Sequence, residues 1–308
     1  MTADHPPAAR TYYGRSVLKA PVWKWPVPAY FFTGGVAAGT SLLAAGARLT
    51  GDHRFARRCL LASLGATAVS TAFLVEDLGR PERFLNMLRV AKPTSPMNVG
   101  SWILTAFGSA TGVAAAGEVL GVATPLGRAA EGIAAVLAPA LGTYTAVLVA
   151  DTAVPAWHEA RHELPFLFAG GAMAGSGGLA LLLSTGTEGL RPARRVAMTG
   201  AALELVMSTW MQRRLGDLGE PYRHGRAGAL SKFATAAAAV GGVIVAATGR
   251  RWPVLARTAG VLLMAGAAAE RFAVFEAGVE SAQDPAATVV PQRARVDAGA
   301  TRPARPAC

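Results

Sequence analysis

Thiols are nearly missing from this sequence. Its 308 residues include two cysteines, Cys59 and Cys308, far apart and with no C-x-x-C pair. Such a chain cannot by itself ligate an iron–sulfur cluster or a structural zinc, and the two thiols do not read as a staple. Histidine is scarce as well. None of the five lies within an apolar run, so paired axial haem ligation across helices has no candidates. Charge is also thin: 16% of residues are charged and 52% hydrophobic, where a soluble domain carries roughly 25% charged. Within that small set, 19 acids face 30 Lys and Arg, for a formal charge of +11. A basic excess can mark a nucleic-acid partner. Here the cations sit between apolar runs or in the tails, as in membrane-protein loops, and no nucleic-acid partner is expected. Met1 to Lys24 has no short apolar core followed by a small-residue cleavage site, so no removable signal peptide is expected there.

What the sequence has instead is apolar runs, and its mean hydropathy is +0.34. They occupy about Val27–Leu49, Cys59–Val75, Val99–Leu120, Ala129–Ala150, Leu164–Thr185, Val196–Met211, Ala229–Thr248 and Pro253–Phe275. Each is near the ~20 residues that cross a hydrocarbon core, the second and sixth being short. In a bilayer every backbone polar group must be paired internally, so the runs must be helices. The expectation is an all-α integral membrane protein with about eight transmembrane helices in two four-helix bundles. Seven is the alternative, with the sixth run partly interfacial. Residues 1–26 read as a polar N-terminal segment, 27–275 as the membrane domain (halves about 27–150 and 164–275), and 276–308 as a disordered C-terminal tail without periodicity. Tyr12, Tyr13, Trp23 and Trp25 suit the headgroup interface. Gly34, Gly35, Gly39, Gly170, Gly171, Gly175, Gly177 and Gly178 lie inside runs, where they let helix backbones approach closely.

The chain is organised around the stretch from Asp77 to Trp102, DLGRPERFLNMLRVAKPTSPMNVGSW. Asp77, Arg80, Glu82, Arg83, Arg89 and Lys92 crowd together there, beside an apolar stripe of Phe84, Leu85, Leu88 and Val90. That stripe suits a short helix lying at a membrane surface. Pro93 and Pro96 stop regular structure, and Thr94, Ser95 and Asn98 can cap the helix that follows.

DLGRPERF with KPTSPMNVGSW resembles the signature between the second and third membrane helices of the NrfD/polysulfide-reductase membrane-subunit family. WKWPVPAYFFTGGVAAGTSLLAAG (Trp23 to Gly46), LGTYTAVLVADTAVPAWHE (Leu141 to Glu159) and LPFLFAGGAMAGSGGLALLL (Leu164 to Leu183) extend the resemblance. It covers about the first 185 residues, and the remainder by helix count. It implies a multi-pass subunit of the cell (plasma) membrane. Such a subunit exchanges electrons between the quinone pool, menaquinone or ubiquinone, and a ferredoxin-like 4Fe-4S subunit that serves a molybdopterin-type catalytic subunit. The quinone is then an exchangeable substrate, with no haem or iron–sulfur cluster in this chain, and membrane lipid is the remaining partner. The alternatives are a secondary transporter, which midplane acids and glycine-rich helices also fit, and a plain membrane anchor for soluble redox subunits. Basic-residue counts place the termini in the cytoplasm, whereas the family's better-known members place the partner-bearing side outside. The orientation stays open.

A quinone site needs a slot in the apolar wall, hydrogen-bond donors for the ring oxygens and a proton path. Tyr144, within the fourth run, matches the family's Tyr-x-Gly position, with Tyr-Thr-Ala here in place of the glycine form. Its other reading is a packed core tyrosine. Tyr30 stands where the polysulfide-reductase form has histidine, and Val27 where it has asparagine. A phenol can donate, but it does not titrate near neutral pH as imidazole does; a plain interfacial residue is the other reading. Asp77 and Arg80 are candidates either for a pair that holds the loop shut or for a proton relay. Asp151, continuing an apolar run, is the better relay candidate. His158, Glu159 and His162 lack an obvious third ligand position, so no metal is expected. Glu204 and Glu270 fall inside runs. Each must pair, stay protonated or line water, either on a proton route or neutralised by Arg271 or hydroxyls such as Ser208.

Overall fold

The computed structural model describes residues 18–80, 82–121, 125–185, 189–248 and 252–300. Tyr12, Tyr13 and Cys308 lie outside the described residues. Among the described residues eight long helices form the body: α1 (Pro26–Leu49), α2 (His53–Leu78), α4 (Pro96–Val119), α5 (Pro125–Ala150), α7 (Leu164–Leu183), α8 (Leu190–Leu215), α9 (Gly225–Thr248) and α10 (Pro253–Gln283). Short helices α3 (Glu82–Met87) and α6 (Pro155–Glu159) sit at the turns, a 3-10 helix spans Gly216–Tyr222, and α11 (Pro285–Ala300) follows α10. All of the expected runs are helices. Many start on proline near the first position, where the missing N–H has no intrahelical partner to lose and φ is preset. Asp52 caps α2 by accepting from the Phe55 N–H (3.2 Å). Gly79, at φ 69°, closes α2 in the left-handed region, which accounts for the glycine in DLGRP.

Seven of the eight are long and apolar enough to cross a membrane; α8 alone among them is not. Arginines crowd its ends, and they have specific work. Arg194 donates to the Val245 and Ala246 carbonyls (2.8 and 3.1 Å) that end α9. Arg214 pairs with Glu163 (2.7 Å) and bonds the Glu159 carbonyl. Between those ends α8 lies along α7 and returns the chain to the side where α1 begins. Gly170, Gly177 and Gly200 make that packing tight, since a Cβ on any of them would strike the facing backbone. The short sixth run is thus a full-length helix, longer than its hydropathy shows.

The helices group as α1, α2, α4 and α5 against α7, α8, α9 and α10, with α1 and α7 at the centre of the contact. Both α1 and α10 have one end on the same side, called the termini side below. The opposite end is stitched by Arg48, which pairs with Glu118 and Glu131 (2.6 Å each), and by Asp52, which also accepts from the Gly189 N–H (2.8 Å). Where the sequence suggests a structureless tail from 276, α10 continues to Gln283 and α11 follows. That stretch is poor in hydropathy, and residues of α10 beyond Phe275 are nonetheless buried, Ala277 and Ala282 among them.

Candidate functional site

Two tyrosines from different helices meet at the termini end of the first bundle. Tyr30 lies five residues into α1 and Tyr144 six residues before α5 ends. Their ring centroids are 6.4 Å apart in an edge-on arrangement, and both are buried. Gly100 of α4 is the seat: a Cβ there would occupy the Tyr144 ring edge. The glycine of MNVGSW therefore sets how deeply that ring enters. The Tyr144 hydroxyl is buried, with no hydrogen-bond partner among the described residues. An orphaned buried hydroxyl costs free energy unless a ligand or water completes it. Val27 is buried three residues before Tyr30, and Ser70 of α2 donates to the Tyr30 carbonyl (3.2 Å).

Aromatic contacts carry the same neighbourhood into the second bundle. Tyr30 meets Phe31 at 5.7 Å and Phe31 meets Phe168 of α7 at 5.9 Å. The Arg271 guanidinium of α10 lies 3.9 Å over the Phe168 ring and donates to the Phe168 carbonyl (2.6 Å). Arg271, Glu204 and Glu270 are all buried, within electrostatic reach of one another. Arg271 forms no close ion pair with either acid among the described residues, and both carboxylates have oxygens without partners. Ser208, the hydroxyl expected to neutralise them, accepts instead from Gln212 (3.2 Å), which also donates to Ser231 (3.0 Å). Tyr222, in the 3-10 helix outside the spans, is buried beside this group. Burial, then the charge of Glu270, raises its phenol above the usual range.

The other sequence candidates do not converge on the tyrosine pair. Asp77, half-buried, accepts from the Lys24 backbone N–H (3.2 Å) and so ties the segment before α1 to the end of α2. Arg80 is exposed, and among the described residues no ion pair joins it to Asp77. Asp151 is the first residue past α5 and exposed rather than set in the apolar wall. The apolar run before it ends one residue too early to bury it. His158 is exposed, its Nδ1 3.3 Å from the Ala150 carbonyl. Among the described residues no three His, Cys, Asp or Glu side chains gather as a metal-holding group.

Sequence reading passed over Trp157. It is fully buried in α6, donates Nε1–H to the Val274 carbonyl (2.7 Å), stacks on Trp23 (5.8 Å) and sits where Gly278 leaves room for its ring. It plugs the termini end between the bundles. The signal was there in VPAWHE, a large aromatic directly after a helix-starting proline, but sequence alone gave it no partner.

A family model described as "Polysulphide reductase, NrfD" matches residues 16–215. None of the curated proteins compared matches this chain.

Proposed function

Because this chain belongs to the polysulphide reductase NrfD family, membrane subunits of quinone-linked oxidoreductase complexes, we propose that it exchanges electrons between the quinone pool and an iron–sulfur subunit, the Tyr144 hydroxyl holding the quinone ring. The observation that carries the reading is that hydroxyl, buried and unpartnered, on a ring set edge-on to Tyr30 and seated on Gly100. These residues fit the ligand. A quinone ring is flat, apolar on its faces and a hydrogen-bond acceptor at its oxygens, and the site offers aromatic walls and a phenol donor. When bound, the quinone supplies two-electron, two-proton chemistry.

The chain's own residues then divide the work. Tyr144 donates its O–H to one ring oxygen, and Tyr30 and Val27 keep water from the ring face. A phenol ordinarily titrates at about pH 10, so protons reach the ring oxygens from groups at the termini end, where Asp77 and Asp151 meet solvent. The iron–sulfur subunit, serving a molybdopterin-type catalytic subunit, docks on that same end.

The test is reconstitution. The purified chain alone turns over no quinol. With its iron–sulfur protein bound it passes electrons from quinol to that protein, and an inhibitor that resembles the quinone head competes. Assembly without any quinol-linked transfer would leave the chain an anchor and sink the reading.

A further inference from the structure

The loop between α2 and α4 carries a surface the tyrosine site does not use. Its short helix α3 and the turn after it expose Leu85 (66%) and Val90 (62%), and α4 exposes Trp102 beside them (43%). The patch is held in one geometry. Trp102 donates its indole N–H to the Val90 carbonyl (3.3 Å), and Asn98 accepts from the Lys92 N–H (2.6 Å) while donating to the Met87 carbonyl (2.7 Å). Arg89 and Lys92 flank Val90 in the chain and Arg80 precedes α3, and all three cations are exposed. Among the described residues none of the three forms an ion pair. Arg83 is already engaged with the Leu78 carbonyl (3.1 Å), and Glu82 is the one acid between residues 80 and 92. The loop joins α2 and α4, whose outer faces are largely unburied and apolar. It therefore sits at the edge of the bundle, at the level where acyl chains give way to headgroups.

We infer that this loop is a binding site for an anionic phospholipid of the leaflet on the termini side. The headgroup phosphate lies among Arg80, Arg89 and Lys92, and the acyl chains run over Leu85, Val90 and Trp102. Two features together select this occupant. Exposed leucine, valine and tryptophan at an interface want hydrocarbon on one side, and unpaired cations directly beside them want a negative headgroup on the other. An acidic soluble partner satisfies the cations but leaves the apolar residues in water. Free phosphate leaves them there as well. The inference stands without the quinone reading, because it concerns the outward face of α4, whereas Tyr144 rests on the inward one at Gly100.

The test is native mass spectrometry of the full chain in detergent, equilibrated with equal amounts of phosphatidylglycerol and phosphatidylcholine. A parallel arm adds excess inorganic phosphate. Wild type retains phosphatidylglycerol in preference to phosphatidylcholine, and phosphate does not displace it. Replacing Arg80, Arg89 and Lys92 with Gln lowers that preference, by about fivefold for each cation removed. Arg195→Gln, at the opposite end of the bundle, leaves it unchanged. Leu85→Gln with Val90→Gln weakens retention of both lipids and keeps the preference. Where the triple variant does not elute as a single species, Arg89→Gln and Lys92→Gln are read singly for the same fivefold steps. Two outcomes overturn the inference: an unchanged preference in the cation variants, or displacement of the lipid by phosphate.

Discussion

Tyr144→Phe separates a ligand-binding hydroxyl from a structural one, because no described residue bonds to the oxygen. The ring contacts with Tyr30 and Gly100 involve carbon that phenylalanine keeps, and the hydroxyl bonds to none of the described residues. Removing it from a residue only 9% exposed breaks no bond and relieves a buried unsatisfied donor. The variant should be as stable as wild type, or more stable by up to about 1 kcal/mol. Turnover should move the other way. With a quinone seated, the ring oxygen loses its donor in a buried site, at about 1–3 kcal/mol, or about 5- to 150-fold. The assay is quinol-linked electron transfer in membranes, with assembly checked by co-purification of the iron–sulfur protein and stability by thermal unfolding in detergent. Gly100→Ala is the contrast. Its Cβ overlaps the Tyr144 ring, so it should cost both turnover and about 1–3 kcal/mol of stability through overpacking. Wild-type turnover in an assembled Tyr144→Phe chain would refute the pocket. A clear fall in its melting temperature would show that the hydroxyl has an internal partner, and the argument from an orphaned donor would fail.

Arg271→Met should destabilise the chain by about 1–3 kcal/mol, because it leaves the buried Phe168 carbonyl without its donor; thermal unfolding unchanged within a degree would show that the fold does not depend on that bond. Tyr222 gives a pH dependence. Its folded phenol is raised above the ordinary tyrosine value of about 10, so its contribution is fully present below pH 10 and is lost as pH rises beyond it, at about 1.4 kcal/mol per pH unit. Tyr222→Phe should remove that part of the alkaline loss measured by unfolding, and an identical slope in both chains would rule it out. For topology, in a chain without Cys59 and Cys308, a cysteine at Asp52 should label from one side of the membrane and cysteines at Lys92 and Arg223 from the other. Labelling of Arg223 from the Asp52 side would remove α8 from the set of crossing helices.

The sequence by itself determined the membrane class and the helix inventory, because the bilayer imposes a local rule. Any apolar run of about 20 residues must satisfy its own backbone, so hydropathy read a few residues at a time is enough. It also marked the Asp77–Trp102 loop and picked out Tyr30 and Tyr144 one at a time. Helix ends were less legible. α8 is ten residues longer than its run at Val196–Met211 because its arginines find carbonyls and Glu163 on neighbouring helices. Asp151, which looked like part of an apolar wall, falls one residue beyond it. Contacts between helices were the work of tertiary structure alone. Whether Tyr30 meets Tyr144, whether Gly100 is a seat, whether Trp157 closes the end under Trp23, and whether Arg271 lies over Phe168 all depend on the rotation and depth of helices far apart in the chain. In lipid, that rotation is set by close packing of small residues and by a few buried polar groups rather than by hydrophobicity, which is alike on every face of a spanning helix.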